Sequence, residues 1–535
     1  MKLHSALAHA LTAHQVDTMF GLIGDANLFL VHSYVHETAG RYIGAAHEAG
    51  AMFMAFGYAD LTGRPGVVTV THGPALTNTL TGLVEGVRGR VPMLLIAGDT
   101  GTGSRTNIQD IAQRDVVVPT GAGFEQARTP ESTLEDLAIA LRRSIVERRP
   151  VVLNVPSDFM VAEVRYRDVP LRLPTPQRAY PDPLAVDRVA ARIATARRPV
   201  VLAGRGAIGA REAIRRLAER IGAPVATTLK ARDLFRGEPF ALGIAGGLGR
   251  PVAQEIIDRA DLVLGFGAGL NPYTTRNGAL FDDGRVVAVD TNVGAVPAGV
   301  GTVLGGDAEV VAGALVDALD LRGVPASGHR TPEMASRLAA QEVMGERPVT
   351  EPGTVDVETA LRQLDRVLPE RRVVISDGGR FMAESLRHVH VGEPGSLVLP
   401  ANFGSIGMGM GAAIGAAAAD PGRTAVLVCG DGGFMHGGVG EFATAVREGL
   451  DLIVVVCDDG GYGAEHVQFV RRGLDPALSL FAWPDLATVA EAHGGEGFTV
   501  RGGDDLEQVA KVIANRRRPL LIDVRLDINH MAPMP

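Results

Sequence analysis

Short runs rich in Val, Ile and Leu recur along the whole chain, each closed by Gly, Pro, Asp or Ser. The first four are VDTMFGLIG, GVVTVTHG, VPMLLIAGD and PVVLNVPSD. Strands covered on both faces need continuous apolar runs rather than alternation, so these predict buried parallel strands whose carboxyl ends carry loops. A second section repeats the pattern in RRPVVLAGRG, GAPVATTL, ADLVLGFGAG and GRVVAVDTN, with helical spacings such as AREAIRRLAERIG between them. A third section contains RRVVISDGG, TAVLVCGDGG, LDLIVVVCDDGG and RPLLIDVRL. From Tyr166 to Pro183 the chain is Pro- and Arg-rich without a period and reads as a linker; polar residues from Ser327 to Thr354 form a second boundary. The expected fold is α/β, with three doubly wound parallel-sheet domains over residues 1–166, 184–326 and 355–535.

Length and composition agree. A chain of 535 residues is too long for one core, and 46% apolar with 21% charged residues is the profile of a compact globular protein. Its 67 glycines show no collagen-like period, so they mark turns and close approaches of backbone. A formal charge of −9 argues against general nucleic-acid affinity. The most apolar long stretch, Gly404 to Ala419, has too little side-chain bulk to span a bilayer, so no membrane partner is expected. The N-terminal MKLHSALAHALTAHQV lacks a signal-peptide core, and the two cysteines, Cys429 and Cys457, form no disulfide framework. A cytoplasmic enzyme is expected.

Candidate chemistry concentrates at strand ends. Gly430-Asp431-Gly432-Gly433 closes one strand, and one helix later Asp458-Asp459-Gly460-Gly461-Tyr462-Gly463 closes the next. Successive parallel strands deliver both carboxylates to one sheet edge, where Asp431 and Asp459 could share a hard cation while glycine amides cradle phosphate oxygens. Either turn alone is compatible with a plain strand-to-helix connection; the pair at this spacing carries the reading. Cys429 and Cys457 precede the two motifs and have no His at ligand spacing, so they read as buried strand thiols.

The pair resembles the signature of the thiamin-diphosphate enzymes that decarboxylate or ligate 2-oxo acids, in which GDG is followed after one helix and strand by two Asn. Here Asp458 and Asp459 stand in place of both. An extra carboxylate about 5 Å from a phosphate costs roughly 3 kcal/mol at an effective dielectric of 20. Direct coordination at about 2.1 Å more than offsets that cost. The resemblance implies thiamin diphosphate and Mg²⁺, with Asp431, Asp459 and the Gly461 carbonyl on the metal. It also implies cofactor contacts from Gly432, Gly433, Tyr462 and Gly463. Ala46-His47-Glu48-Ala49-Gly50-Ala51, followed by a GYA helix and a Gly-Pro turn, is similar to the family's stretch around the cofactor-activating glutamate, which makes Glu48 that residue. Asn402-Phe403-Gly404-Ser405-Ile406-Gly407-Met408-Gly409 resembles the loop whose bulky residue props the thiazolium, with Ile406 in that place and Gly404 and Met408 beside it. The segment equally suits a helix start packed closely through small residues. Asp377-Gly378-Gly379-Arg380 brings Gly379 and Arg380 to the diphosphate. In this family the glutamate of one subunit meets the metal site of another, so the resemblance implies a homodimer or homotetramer with active sites at the interface.

On the substrate side, Phe20–Asn27 resembles the entry loop of pyruvate decarboxylases, with Asp25 as a proton-handling acid and Glu465 as the second acid. The decarboxylase His-His pair is missing, and Gly101–Gln109 is closer to acetolactate synthases and benzaldehyde lyase, where a Gln near Gln109 faces the substrate. His72 and His466 are further candidates. These residues point to a small 2-oxo acid and to an aldehyde or second 2-oxo acid as partner. Carboligation after decarboxylation is the reading, with simple aldehyde release as the alternative. A different class, a nucleotide-binding oxidoreductase, follows from Gly204-Arg205-Gly206-Ala207-Ile208-Gly209, which fits GxGxxG. However, the next strand ends at Lys230 without a ribose-binding acid, and FAD is not expected in this domain. A third reading, a non-catalytic homologue, gives no reason to keep Glu48, Ile406, Asp431 and Asp459 together.

Overall fold

The computed structural model describes residues 1–175, 177–280, 283–341 and 349–530. Three six-stranded parallel sheets organise them. The first holds β1 (Thr18–Gly21), β2 (Arg41–Gly44), β3 (Gly66–Val70), β4 (Met93–Asp99), β5 (Gly123–Gln126) and β6 (Pro150–Pro156), in the order β2-β1-β3-β4-β6-β5. The second holds β7 (Pro199–Ala203), β8 (Val225–Thr227), β9 (Ala241–Ile244), β10 (Leu262–Phe266), β11 (Val286–Asp290) and β12 (Thr302–Gly305), in the order β12-β11-β10-β7-β8-β9. The third holds β13 (Arg372–Ser376), β14 (Leu397–Val398), β15 (Thr424–Gly430), β16 (Leu452–Asp458), β17 (Glu496–Val500) and β18 (Leu520–Arg525). Its order, β14-β13-β15-β16-β18-β17, is the permutation of the first sheet repeated. The first and third sheets with their helices form one compact unit and the second sheet forms another.

The apolar runs became strands for the expected reason: β3, β4, β6, β7, β10, β13, β15 and β16 are buried along nearly their whole length. Between Ser327 and Thr354, where only a polar boundary is expected, the described residues include a helix over Pro332–Ala340. Thr331 caps it by accepting the Met334 N–H. Part of that boundary, residues 342–348, lies outside the described residues, as do 531–535 at the end of the third expected domain.

Inside the first unit, helix Glu48–Thr62 lies against helix Gly409–Ala419 through residues without side chains. A methyl group on Gly57 would overlap the Ala412 carbonyl, and one on Gly415 would overlap the Met54 carbonyl. The glycines of both stretches therefore serve helix packing as well as any loop. Gly415→Val is expected to destabilise the unit by about 3 kcal/mol or more, because the obstruction is backbone and cannot rotate away. Gly313→Ala, in a helix of the second unit where a methyl meets nothing, is expected to be neutral or to stabilise by about 0.5–1 kcal/mol. Urea unfolding of the two variants checks the contrast.

Candidate active site

β15 and β16 are neighbours in register, with Gly430 beside Cys457, so the residues that follow emerge side by side. Asp431 opens the turn after β15, Asp458 ends β16 and Asp459 follows it. Asp431 and Asp458 are both buried. Burial pushes the Asp431 carboxyl up to about 8, with the charges of Asp459 and Asp458 adding to it. Asp459 is pushed up to about 7 by burial and by Asp458, against the opposing pull of Arg380. The turn after β16 folds back so that the Gly461 N–H donates to Asp431 Oδ2 at 2.8 Å. The Asp459 carboxylate packs closely against Gly463, where a methyl would overlap it. Past Asp431 the chain makes a π-helical turn over Phe434–Gly438, packed on Gly407.

Asp458 has its own balance. Its Oδ2 lies 2.6 Å from Arg525 Nη1 on β18, and its Oδ1 accepts the Gly460 N–H at 3.0 Å. Arg525 Nε also lies 3.3 Å from Asp523, whose carboxyl burial and the Asp458 charge push up to about 7. A cation from a neighbouring strand thus accompanies an Asp where the signature has a neutral Asn. Cys429 and Cys457 are free, buried strand thiols, and burial pushes both up.

The loops after β13 and before helix Gly409–Ala419 meet at Asp377, the first residue of the Asp377-Gly378-Gly379-Arg380 stretch. Its carboxylate accepts the N–H groups of Gly378 at 2.8 Å and Gly407 at 2.9 Å, and burial holds it up at about 6. Gly407 takes φ +79°, which places its amide there. Ile406 sits half-buried in this loop next to Gly378, while Gly404 is exposed and Met408 buried. Gly379 is closed in by the Phe381 ring. Arg380 is buried, donates from Nη1 to the Ile528 carbonyl at 2.7 Å and faces Asp459.

In the first sheet the order β2-β1-β3-β4 lines up the loops carrying Glu48, Asp25, His72 and Gln109. Glu48 is buried at a helix start, and Asn78 Nδ2 donates to its Oε2 at 3.0 Å. His72 is buried; its Nδ1 lies 3.3 Å from Thr71 Oγ1, and its Nε2 has no hydrogen-bond partner among the described residues. Gly73 abuts the Gln109 backbone, and the Ala26 N–H donates to Thr71, so the loops with Asp25, His72 and Gln109 touch. Asp25 is exposed and Gln109 half-exposed. Glu465 lies exposed on helix Gly463–Arg471, whereas His466 is buried with Nδ1 at 3.2 Å from Ser479 Oγ.

Three family models match in succession: the N-terminal TPP binding domain of thiamine pyrophosphate enzymes over residues 1–118, their central domain over 186–314 and their C-terminal TPP binding domain over 377–524. A Pseudomonas aeruginosa protein named "Probable 2-ketoarginine decarboxylase" is 31% identical, covering 95% of this chain and 90% of its own. The chain belongs to the thiamine pyrophosphate enzyme family. A sulfoacetaldehyde acetyltransferase of Alcaligenes xylosoxydans xylosoxydans is 28% identical over 95% of this chain and 89% of its own. The acetolactate synthase isozyme 2 large subunit of Escherichia coli is 27% identical over 97% and 95%.

Within this family frame, two buried glutamates missed by sequence reasoning hold the site loops. Glu441, in the helix after the Asp431 turn, accepts the N–H groups of Ala46 and His47 immediately before Glu48. Glu85 accepts the N–H groups of Asn402 and Phe403, at 3.0 and 2.7 Å, just before the Ile406 loop. The first-sheet and third-sheet parts therefore each brace the other's functional loop with a carboxylate. Gln113 does similar work, accepting the Gly73 N–H and donating to the Gly98 carbonyl, both at 2.8 Å. The only available signal was an acidic or amide side chain at an otherwise apolar helix position.

The second sheet has the strand order of a dinucleotide fold, and Gly204 lies at its switch point. Yet the Gly204 and Gly206 N–H groups donate to the Phe266 and Gly267 carbonyls, at 2.8 and 3.2 Å. The amides a phosphate would use are taken up by the end of β10 and the residue after it. Another convergence of possible ligand atoms, Glu358, Glu384 and His388, is already knit by Arg362 and Arg387. Among the described residues no helix is long and apolar enough to cross a membrane.

Proposed function

We propose that this chain is a thiamin-diphosphate- and Mg²⁺-dependent enzyme that decarboxylates a small 2-oxo acid and joins the remaining acyl fragment to a second carbonyl compound. The observation that carries the proposal is the pair of strand-end carboxylates, Asp431 and Asp459, crowded in a buried turn rich in backbone amides. Two neighbouring acids pushed up by burial, with Asp458's charge adding to both, are a site a dication would relieve, and an all-oxygen donor set suits Mg²⁺ rather than a thiophilic metal. Asp431, Asp459 and the Gly461 carbonyl would hold the metal. Gly432, Gly433, Tyr462, Gly463, Gly379, Arg380, Gly404, Ile406 and Met408 would line the cofactor.

When bound, thiamin diphosphate would supply a nucleophilic carbon and an electron sink for decarboxylation of a 2-oxo acid. Glu48 would exchange a proton with the cofactor's ring nitrogen; Asn78 occupies one of its oxygens and fixes the carboxylate's direction. Ile406 would pack against the cofactor, and Asp377 holds the loop that presents it. His72 donates or accepts at the substrate through Nε2, and Gln109 lies one loop away. Asp25 and Glu465 handle protons at the mouth of the site. Loading from two chains is supported by the exposed apolar residues Leu474, Leu478, Leu480 and Phe481 beside the metal turn and Ile23 and Ile108 in the first-sheet loops, which a second copy would cover. The second sheet works without FAD in this reading, supported by the filled amides at Gly204 and Gly206.

Ligation is favoured over aldehyde release by Gln109 and by relatives whose names describe acetyl transfer and acetolactate synthesis. The deciding experiment supplies pyruvate, cofactor and Mg²⁺, with and without an aldehyde acceptor, and assays acetolactate or acetoin against acetaldehyde. Free aldehyde as the sole product would leave the decarboxylase reading; a panel including larger 2-oxo acids covers the donor suggested by the ketoarginine relative. His72→Phe keeps a buried ring but removes the nitrogen. It is expected to raise KM for the 2-oxo acid by about 10–100-fold, the effect of one lost buried hydrogen bond. An unchanged KM in steady-state assays would release His72 from the substrate.

A further inference from the structure

The segment Ser479–Trp483 lies across the turn that follows β16. The Tyr462 N–H donates to the Ser479 carbonyl and the Phe481 N–H to the Gly460 carbonyl, both at 2.8 Å, with Gly461 bridged antiparallel to Leu480. A side chain at Gly461 would overlap the Ser479 carbonyl, so the close approach depends on that glycine. Three aromatic rings continue the contact. Tyr462 meets Phe481 edge-on at 4.9 Å, and Phe481 stacks on Trp483 at 4.8 Å with 23° between planes. Pro484 and then Asp485, which caps helix Leu486–Ala492 by accepting the Thr488 N–H, fix the chain on the far side of Trp483. The indole N–H of Trp483 donates to Asp431 Oδ2 at 2.7 Å.

We infer that Trp483 is a positioning residue of the metal centre, holding Asp431 in the orientation that offers its other oxygen to the cation, and that the Ser479–Trp483 strap sets the neighbouring Gly461 carbonyl at the same time. The inference rests on the reading of Asp431 as a metal ligand. Oδ2 takes two N–H donors, from Trp483 and from Gly461, which leaves Oδ1 as the coordinating atom. The peptide between Gly461 and Tyr462 is trans and planar, so its carbonyl points opposite to its N–H. Because that N–H points at Ser479, the Gly461 carbonyl faces away from the strap. One five-residue segment therefore orients two of the three proposed ligands. A partner that fixes a ligand's orientation changes metal affinity by about 10–100-fold when removed.

Trp483 is also the chain's only tryptophan, so its emission reports on the surroundings of this one indole. The test is Mg²⁺ titration of the full-length chain with thiamin diphosphate present, by calorimetry for all variants and by emission for the unaltered chain and Asp431→Asn. Trp483→Phe keeps the stack on Phe481 and removes only the donor; Mg²⁺ affinity is expected to fall about tenfold. Trp483→His, which restores a ring N–H, is expected to recover part of it, and Mg²⁺ is expected to shift the emission of the unaltered chain. Asp431→Asn is expected to lose most Mg²⁺ affinity and the emission response. If Asp431→Asn loses affinity while Trp483→Phe binds Mg²⁺ as before, the positioning role is wrong and the metal site stands. If Asp431→Asn binds normally, the metal assignment itself fails. Emission indifferent to Mg²⁺ in the unaltered chain would also overturn the role of Trp483, whether or not its variants fold.

Discussion

Glu48→Gln is expected to slow 2-oxo acid turnover by about 10²–10⁴-fold, the usual contribution of a positioned proton-transfer group. The substitution is a narrow one. Glu48 is buried at the start of helix Glu48–Thr62, where Asn78 donates to its Oε2. Gln keeps the length and can still accept from Asn78, but its amide cannot exchange a proton with the cofactor ring. The backbone before it is held by Glu441, so the turn is expected to keep its shape. Melting temperature and Mg²⁺ binding should therefore match the unaltered chain while the steady-state rate collapses. A rate close to that of the unaltered chain would remove Glu48 from the reaction.

Asp431→Asn is expected to weaken Mg²⁺ binding by about 10²-fold or more, since it removes one of two carboxylates from a hard cation. Asp459→Asn is expected to cost less, because Asn is the residue the family signature carries there. The same carboxylates give the unaltered chain a pH dependence. Asp431, up at about 8, and Asp459, up at about 7, must shed protons before they coordinate. Mg²⁺ affinity should therefore rise with pH through that range, approaching about tenfold per unit for each proton displaced. The metal-free chain behaves in the opposite sense. An acid whose folded value is raised favours folding below its unfolded value, near 4, and loses that advantage as pH climbs to the folded one. Melting temperatures without metal should fall between about pH 4 and 8, and Mg²⁺ with cofactor should restore most at the upper end. Calorimetry and thermal melts across pH test both signs; a flat Mg²⁺ affinity would mean the two acids are not its ligands.

The chain by itself determined the central strands and which carboxylates stand at their ends. All twelve apolar runs read from it are strands, and they are the inner four of each sheet. The six strands it did not reveal, β2, β5, β9, β12, β14 and β17, are the six sheet edges. An inner strand is covered on both faces and must be apolar throughout; an edge strand needs little, and β2, β12 and β17 are largely half-buried while β14 has two residues. Asp431 and Asp459 were legible as a pair for the same reason, since two of these apolar runs, one helix apart, each close on a carboxylate. What only the tertiary structure decided is how such residues are held. Glu85 and Glu441 brace loops more than 300 residues away in sequence, Arg525 balances Asp458 from another strand, and Trp483 reaches Asp431 across 52 positions. No local period or spacing encodes these pairs: each depends on which strands the fold makes neighbours, and a buried polar group's partner is known only once the backbone around it is placed.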